Sequence, residues 1–141
     1  MAGGTLVLFT DGAARGNPGP AGIGMALYRL EGGRQVEISA HGEAIGSTTN
    51  NVAEYRALLL GLEEAARHEP DMLIVCADSQ LLVRQLQGSY RVKAKHLQPL
   101  HGAAMALLGT FRKVRLQHVP REENLAADAL ANAALDAAPK K

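Results

Sequence analysis

Hydrophobic and polar positions along this chain follow two periods, and the change from one to the other marks its elements. Leu6-Val7-Leu8-Phe9 is an aromatic and β-branched apolar run that reads as a buried strand, stopping at Asp11-Gly12. Gly16, Asn17, Pro18, Gly19 and Pro20 form a loop, and residues 23–30 read as a second strand. Glu31-Gly32-Gly33-Arg34 is a hairpin turn, and in residues 35–44 Val36, Ile38 and Ala40 alternate with polar neighbours as a third strand. The period then lengthens. Tyr55, Leu58, Leu59, Leu62, Ala65 and Ala66 predict a helix over 52–67, after the capping cluster Ser47-Thr48-Thr49-Asn50-Asn51 and before the breakers Pro70 and Asp71. Met72 to Ala77 is a second apolar strand, running straight into Asp78. Helices follow over 79–87, ended by Gly88, and over 97–108. A last strand spans 114–119 up to Pro120, and an Ala- and Leu-rich helix spans 122–137 ahead of a frayed Pro139-Lys140-Lys141 tail.

Three hairpin-connected strands, then helix, strand, helices, strand and helix, describe an α/β fold with a five-stranded mixed sheet. Three strands are antiparallel and two are joined by crossovers. At 141 residues without repeat or linker, the chain reads as one domain with its core at about 5–137. A composition of 47% hydrophobic and 21% charged residues excludes disorder, and no apolar run approaches the ~20 residues of a membrane span. Cys76 is the single cysteine, so no internal disulfide forms. With no basic-then-apolar leader, this points to a reducing cytoplasm. A net charge of +1 neither announces nor excludes a nucleic-acid partner, since a basic patch can cancel an acidic site in the sum.

Four carboxylates share one context. Asp11 and Asp78 follow apolar strands, Glu54 lies just after the Thr49-Asn50-Asn51 cap, and Asp128 stands near the start of the last helix in AADALAN. Singly, each is also what a turn or a helix N-terminus uses. Were the two strands adjacent and parallel, Asp11 and Asp78 would emerge side by side, with the helix starts aiming their acids at the same point. Such a cluster repels itself unless cations neutralise it, and hard oxygen ligands suit Mg²⁺ or Mn²⁺. A pair of ions ~3.5–4 Å apart serves phosphoryl displacement. Asn17, Asn50, Asn51 and Gln80 lie within a few residues of these acids, and amides read base edges and ribose hydroxyls.

Other chemistries fit badly. His41, His68, His96, His101 and His118 form no HExxH pair, and one cysteine builds no zinc site. Gly22-Ile23-Gly24 opens a strand rather than a helix, and no GxxxxGK[ST] is present, so no organic cofactor is expected.

Four segments in order, TDGAARGNPGPAGIG, TTNNVAEYRALLLGL, ADSQLLVRQL and HVPREENLAADALANAA, resemble the type 1 ribonucleases H over Leu6 to Leu135. The resemblance implies the ribonuclease H fold and endonucleolytic cleavage of the RNA strand of RNA–DNA hybrids with two Mg²⁺ ions, leaving 5′-phosphate and 3′-hydroxyl ends. It implies that Asp11, Glu54, Asp78 and Asp128 are the metal ligands. Asn17, Asn50 and Gln80 would meet the minor groove and RNA 2′-hydroxyls, which distinguish RNA from DNA, and Gly12 would also contact substrate. Thr49 and Asn51 would hold a DNA-strand phosphate. A monomer is expected.

Two departures stand out. In place of a longer Gly-rich loop before the final acid, the chain has His118-Val119-Pro120-Arg121-Glu122, so His118 and Arg121 are both candidates for assisting proton transfer or product release. In place of a Lys- and Trp-rich protrusion it has Arg91-Val92-Lys93-Ala94-Lys95-His96, where Lys93 and Lys95 would grip phosphates; the chain has no Trp. Two rivals share the fold: a non-catalytic hybrid-binding module, whose natural signature would be a missing acid, and a nuclease acting on DNA.

Overall fold

The computed structural model describes residues 3–138, so the predicted frayed tail at Pro139-Lys140-Lys141 lies outside the described residues. Five strands form one sheet: β1 (Thr5–Ala14), β2 (Gly19–Glu31), β3 (Arg34–Thr48), β4 (Met72–Ala77) and β5 (Val114–His118). Their order is β3-β2-β1-β4-β5, antiparallel from β3 to β1 and parallel from β1 to β5. This is the mixed sheet the element order predicts. The apolar runs become the central strands because both their faces are covered; Leu6, Leu8 and Leu73 are fully buried. The β2–β3 turn falls on Gly32 and Gly33, whose φ values of 56° and 81° suit the tight hairpin that glycine permits.

Helices α1 (Asn50–Arg67), α2 (Gln80–Leu86), α3 (Gln98–Leu108) and α4 (Leu125–Ala137) complete the fold. Helix α1 lays Leu58 and Leu62 on Leu6, Leu8 and Leu27, with Leu97, Ala104 and Leu108 closing the same core. Burying each such leucine contributes roughly 2–3 kcal/mol. Helix α4 covers the opposite face, seated on glycines: a Cβ at Gly22, Gly24 or Gly42 would collide with the backbone of Ala131, Ala127 or Leu130. Gly24 pairs with Asp11 and with Gly42, so this bare row lets α4 descend next to Asp11. Among the described residues no helix is long and apolar enough to cross a membrane.

Several expected boundaries move, and β2 already begins at Gly19, so Gly19 and Pro20 belong to the strand rather than to the loop. Strand β1 does not stop at Asp11-Gly12; it continues to Ala14, because β2 supplies pairing partners as far as Ala14↔Ala21. The last helix does not begin at residue 122. Arg121–Glu123 is a 3₁₀ turn after Pro120, and the α-helix starts only beyond Asn124. The third strand is also longer than the alternation suggests, reaching Thr48 through two register shifts against β2.

Candidate metal and nucleic-acid site

Strand β1 pairs with β4 only from Thr5↔Met72 to Thr10↔Ala77. Beyond Thr10 its β4-side edge is open, and an unpaired backbone edge must find other partners. It finds side chains. The Thr10 carbonyl accepts from Asn124 Nδ2 at 2.9 Å, the Gly12 N–H donates to Glu54 Oε1 at 2.6 Å, and the Ala14 N–H donates to Asn50 Oδ1 at 2.8 Å. Helix α1 comes this close because residue 12 is glycine; a Cβ there would collide with the backbone of Ala53 and Glu54.

The acids meet around this open edge. Asp11 alternates onto the α4 face, Glu54 reaches over from α1, and Asp78 emerges where β4 ends. One oxygen from each of the three lies within 4.8 Å of the others. Asp11 and Glu54 are only 8% and 9% exposed. Burial first, then the facing carboxylates of Glu54 and Asp78, pushes the Asp11 carboxyl up to about 9. Burial also pushes Glu54 up to about 7, against the opposing pull of the Gly12 N–H. A trio of hard oxygen donors that cannot all ionise unaided fits a divalent cation.

Asp128 stands outside the tight trio, yet close enough to Asp11 for its carboxylate to help raise the Asp11 carboxyl. Asn132 Nδ2 donates to its Oδ1 at 3.2 Å, and the Arg121 guanidinium lies 3.8 Å from the same oxygen. Around the four acids is a cleft of about 400 Å³, which Gly12, Asn50, Asn51 and Arg121 also line. It opens at the carboxyl ends of the parallel strands, where α/β sheets bind ligands. A larger hollow, about 680 Å³, lies at the opposite ends of β1 and β4 beside Pro70, Asp71 and Phe111, and holds none of the motif residues.

The remaining predicted residues divide. Thr49 caps α1, its Oγ1 accepting from the Val52 N–H at 3.2 Å. The Asn17 side-chain oxygen accepts from the Asn50 N–H at 3.0 Å, so the β1–β2 loop is tied to the start of α1. Both asparagines thereby use their oxygens internally and keep their NH₂ groups as donors. Gln80 is exposed in the first turn of α2, capped by Ser79. His118 is the last residue of β5; its ring nitrogen contacts the Asp78 carbonyl at 3.2 Å, and it does not line the cleft. Lys93 and Lys95 are exposed in the α2–α3 connection, away from the acids. Asn124 lies inside the segment HVPREENLAADALANAA, four residues before Asp128, but is not among the candidate site residues read from the sequence. The only sequence signal for it is an asparagine directly before an apolar helical run.

Residues 9–134 match the reverse transcriptase-like family. The crystal structure of RNase H1 from Halobacterium salinarum superimposes with a TM-score of 0.89 at 42% identity, covering 96% of this chain and all of that one. The chain belongs to the type 1 ribonuclease H family. Within this ribonuclease H family, the N-terminal RNase H domain of Rv2228c from Mycobacterium tuberculosis also superimposes with a TM-score of 0.89, at 41% identity over 94% of each chain. LC11-RNase H1, crystallised in complex with an RNA/DNA hybrid, gives 0.85 at 39% identity over 93% of this chain and 96% of that one. The chain spans 36% of the full Mycobacterium protein, named a bifunctional protein, and 66% of the full Halobacterium ribonuclease HI.

Proposed function

We propose that this chain is an endoribonuclease that hydrolyses the RNA strand of RNA–DNA hybrids in a metal-dependent reaction, leaving 5′-phosphate and 3′-hydroxyl ends. The observation that carries the reading is the trio Asp11, Glu54 and Asp78, with ligand oxygens within 4.8 Å at the carboxyl ends of parallel strands. Together with Asp128 they would hold two divalent ions, Mg²⁺ or in its place Mn²⁺. Such ions supply Lewis-acid activation of a water and charge stabilisation at the departing 3′-oxygen.

The protein's own part is geometry and charge. The Gly12 N–H fixes Glu54 in one orientation at 2.6 Å, so its other oxygen is directed by the fold rather than by substrate. The NH₂ groups of Asn17 and Asn50, left free by their internal bonds, would donate to the minor groove and ribose hydroxyls, with Gln80 beside them. Thr49 and Asn51 would flank a DNA-strand phosphate at the N-terminus of α1, where backbone dipoles favour an anion. Arg121 is better supported than His118 as the residue that assists proton transfer or product departure. Its guanidinium lies beside Asp128 in the cleft, whereas the His118 ring is occupied by the Asp78 carbonyl. Lys93 and Lys95 would add phosphate contacts remote from the acids, giving affinity that falls steeply with salt.

The test is cleavage of a labelled RNA–DNA hybrid in Mg²⁺, beside matched DNA–DNA and RNA–RNA duplexes. Cutting confined to the RNA of the hybrid, with products that a ligase rejoins on a DNA splint, is expected. Binding of the hybrid without cleavage in Mg²⁺ or Mn²⁺ would move the chain to the binding-module reading, and cutting of the all-DNA duplex to a DNA nuclease.

A further inference from the structure

The most deeply buried polar side chain near the cleft is not an acid. Asn124 is 1% exposed, and its amide bridges two elements: Nδ2 donates to the Thr10 carbonyl at 2.9 Å and to Asp78 Oδ2 at 3.2 Å. Its own Oδ1 is buried with no partner among the described residues. Buried polar atoms are ordinarily paired, and leaving one unpaired costs about 1–3 kcal/mol. The amide cannot turn over to relieve this, because Oδ1 would then face two acceptors, a carbonyl and a carboxylate. The amide is therefore fixed with both donors on Thr10 and Asp78.

Only a neutral group with two donors on one nitrogen suits this position. Lysine would add a buried cation, aspartate a further carboxylate beside a trio already crowded with like charge, and serine has a single donor. We infer that Asn124 is a positioning residue for the metal site. It holds Asp78 by Oδ2 and ties the start of α4, which carries Asp128, to the end of the β1–β4 ladder. This rests on the metal-site reading above and goes beyond it by naming the residue that sets the angle of Asp78. Partners of metal ligands of this kind typically govern about 10–100-fold of metal affinity or activity.

The experiment is Mn²⁺ binding, by calorimetry and by the loss of free-ion EPR signal, to wild type, Asn124→Ala and Asn124→Asp, with hybrid-cleavage kcat and KM measured in parallel. Both variants are expected to bind Mn²⁺ at least 10-fold more weakly and to lose kcat with little change in KM for the hybrid. Raising Mn²⁺ should recover part of the Asn124→Ala loss, which a merely structural defect would not permit. Should neither variant fold, side-chain NH₂ resonances of ¹⁵N-labelled wild type decide. One pair protected from solvent exchange and broadened by substoichiometric Mn²⁺ supports the assignment, and its absence overturns it. Wild-type affinity in folded variants overturns the role of Asn124 and leaves the metal site standing. Failure of the wild type to bind Mn²⁺ removes both.

Discussion

The two halves of strand β1 obey different rules. From Thr5 to Thr10 it is laddered on both edges, by β2 and by β4, and its Leu6 and Leu8 are fully buried. From Asp11 to Ala14 the β2 ladder continues while the other edge is held by side chains from Glu54 and Asn50. The first half is backbone and hydrocarbon and supplies stability. The second replaces a strand with helix-borne polar groups, which brings buried carboxylates together at a cost in repulsion. Chemistry resides where the regular ladder ends.

Breaking the open half at its centre should have the largest effect. Asp11→Asn is expected to lower hybrid cleavage on the order of 10³-fold or more, as removal of key electrostatic groups does. The same change should raise the melting temperature of the metal-free protein, because a neutral amide removes the cost of keeping an ionisable carboxyl buried beside Glu54 and Asp78. In the laddered half, Leu8→Ala should do the reverse. It is expected to cost about 3–5 kcal/mol and lower the melting temperature by roughly 10 °C or more, while cleavage at low temperature stays near wild type. A melting curve and a cleavage assay on both variants would separate the halves; parallel losses of both properties would erase the distinction.

At the junction, Gly12→Ala should damage both properties, because its methyl group would collide with the Ala53 and Glu54 backbone. About 2 kcal/mol of stability and on the order of 100-fold in cleavage are expected, since displacing α1 shifts Glu54. The open half also predicts a pH dependence. Folding raises Asp11 to about 9 and Glu54 to about 7, so the folded protein holds more protons than the unfolded chain from the ordinary carboxylate range up to about pH 9. Metal-free stability therefore falls as pH rises through that window. Melting in EDTA and in Mg²⁺ from pH 5 to 9 should show that slope and its flattening by the metal. Asn50→Ala, which unties the Ala14 N–H, is the mildest test at about 1 kcal/mol.

Much of this architecture was legible because its causes are local. Asp78 could be read from an apolar run that ends in Ala77, and Thr49 from its place before a helical period. The four acids could be proposed together because each has the same kind of neighbour. What escaped depends on distant residues. The continuation of β1 past Asp11 is set by pairing with β2, and an Asp-Gly step resembles a turn until that partner is known. Asn124 acquires its contacts from Thr10 and Asp78, 114 and 46 residues away, so no local window reveals it. The place of His118 depends on a single strand register, Ala77↔His118, which directs its ring to the Asp78 carbonyl.

The central claim is that Asp11, Glu54 and Asp78 are held together against their own repulsion for a divalent cation. Calorimetric titration of Mg²⁺ or Mn²⁺ into the wild type at pH 7, repeated in buffers of different ionisation enthalpy, tests it most directly. With Asp11 raised to about 9 and Glu54 to about 7, binding at pH 7 is predicted to release between one and two protons, a release that Asp11→Asn should cut by about one together with most of the affinity. Proton-free binding, or equal binding by Asp11→Asn, would contradict it.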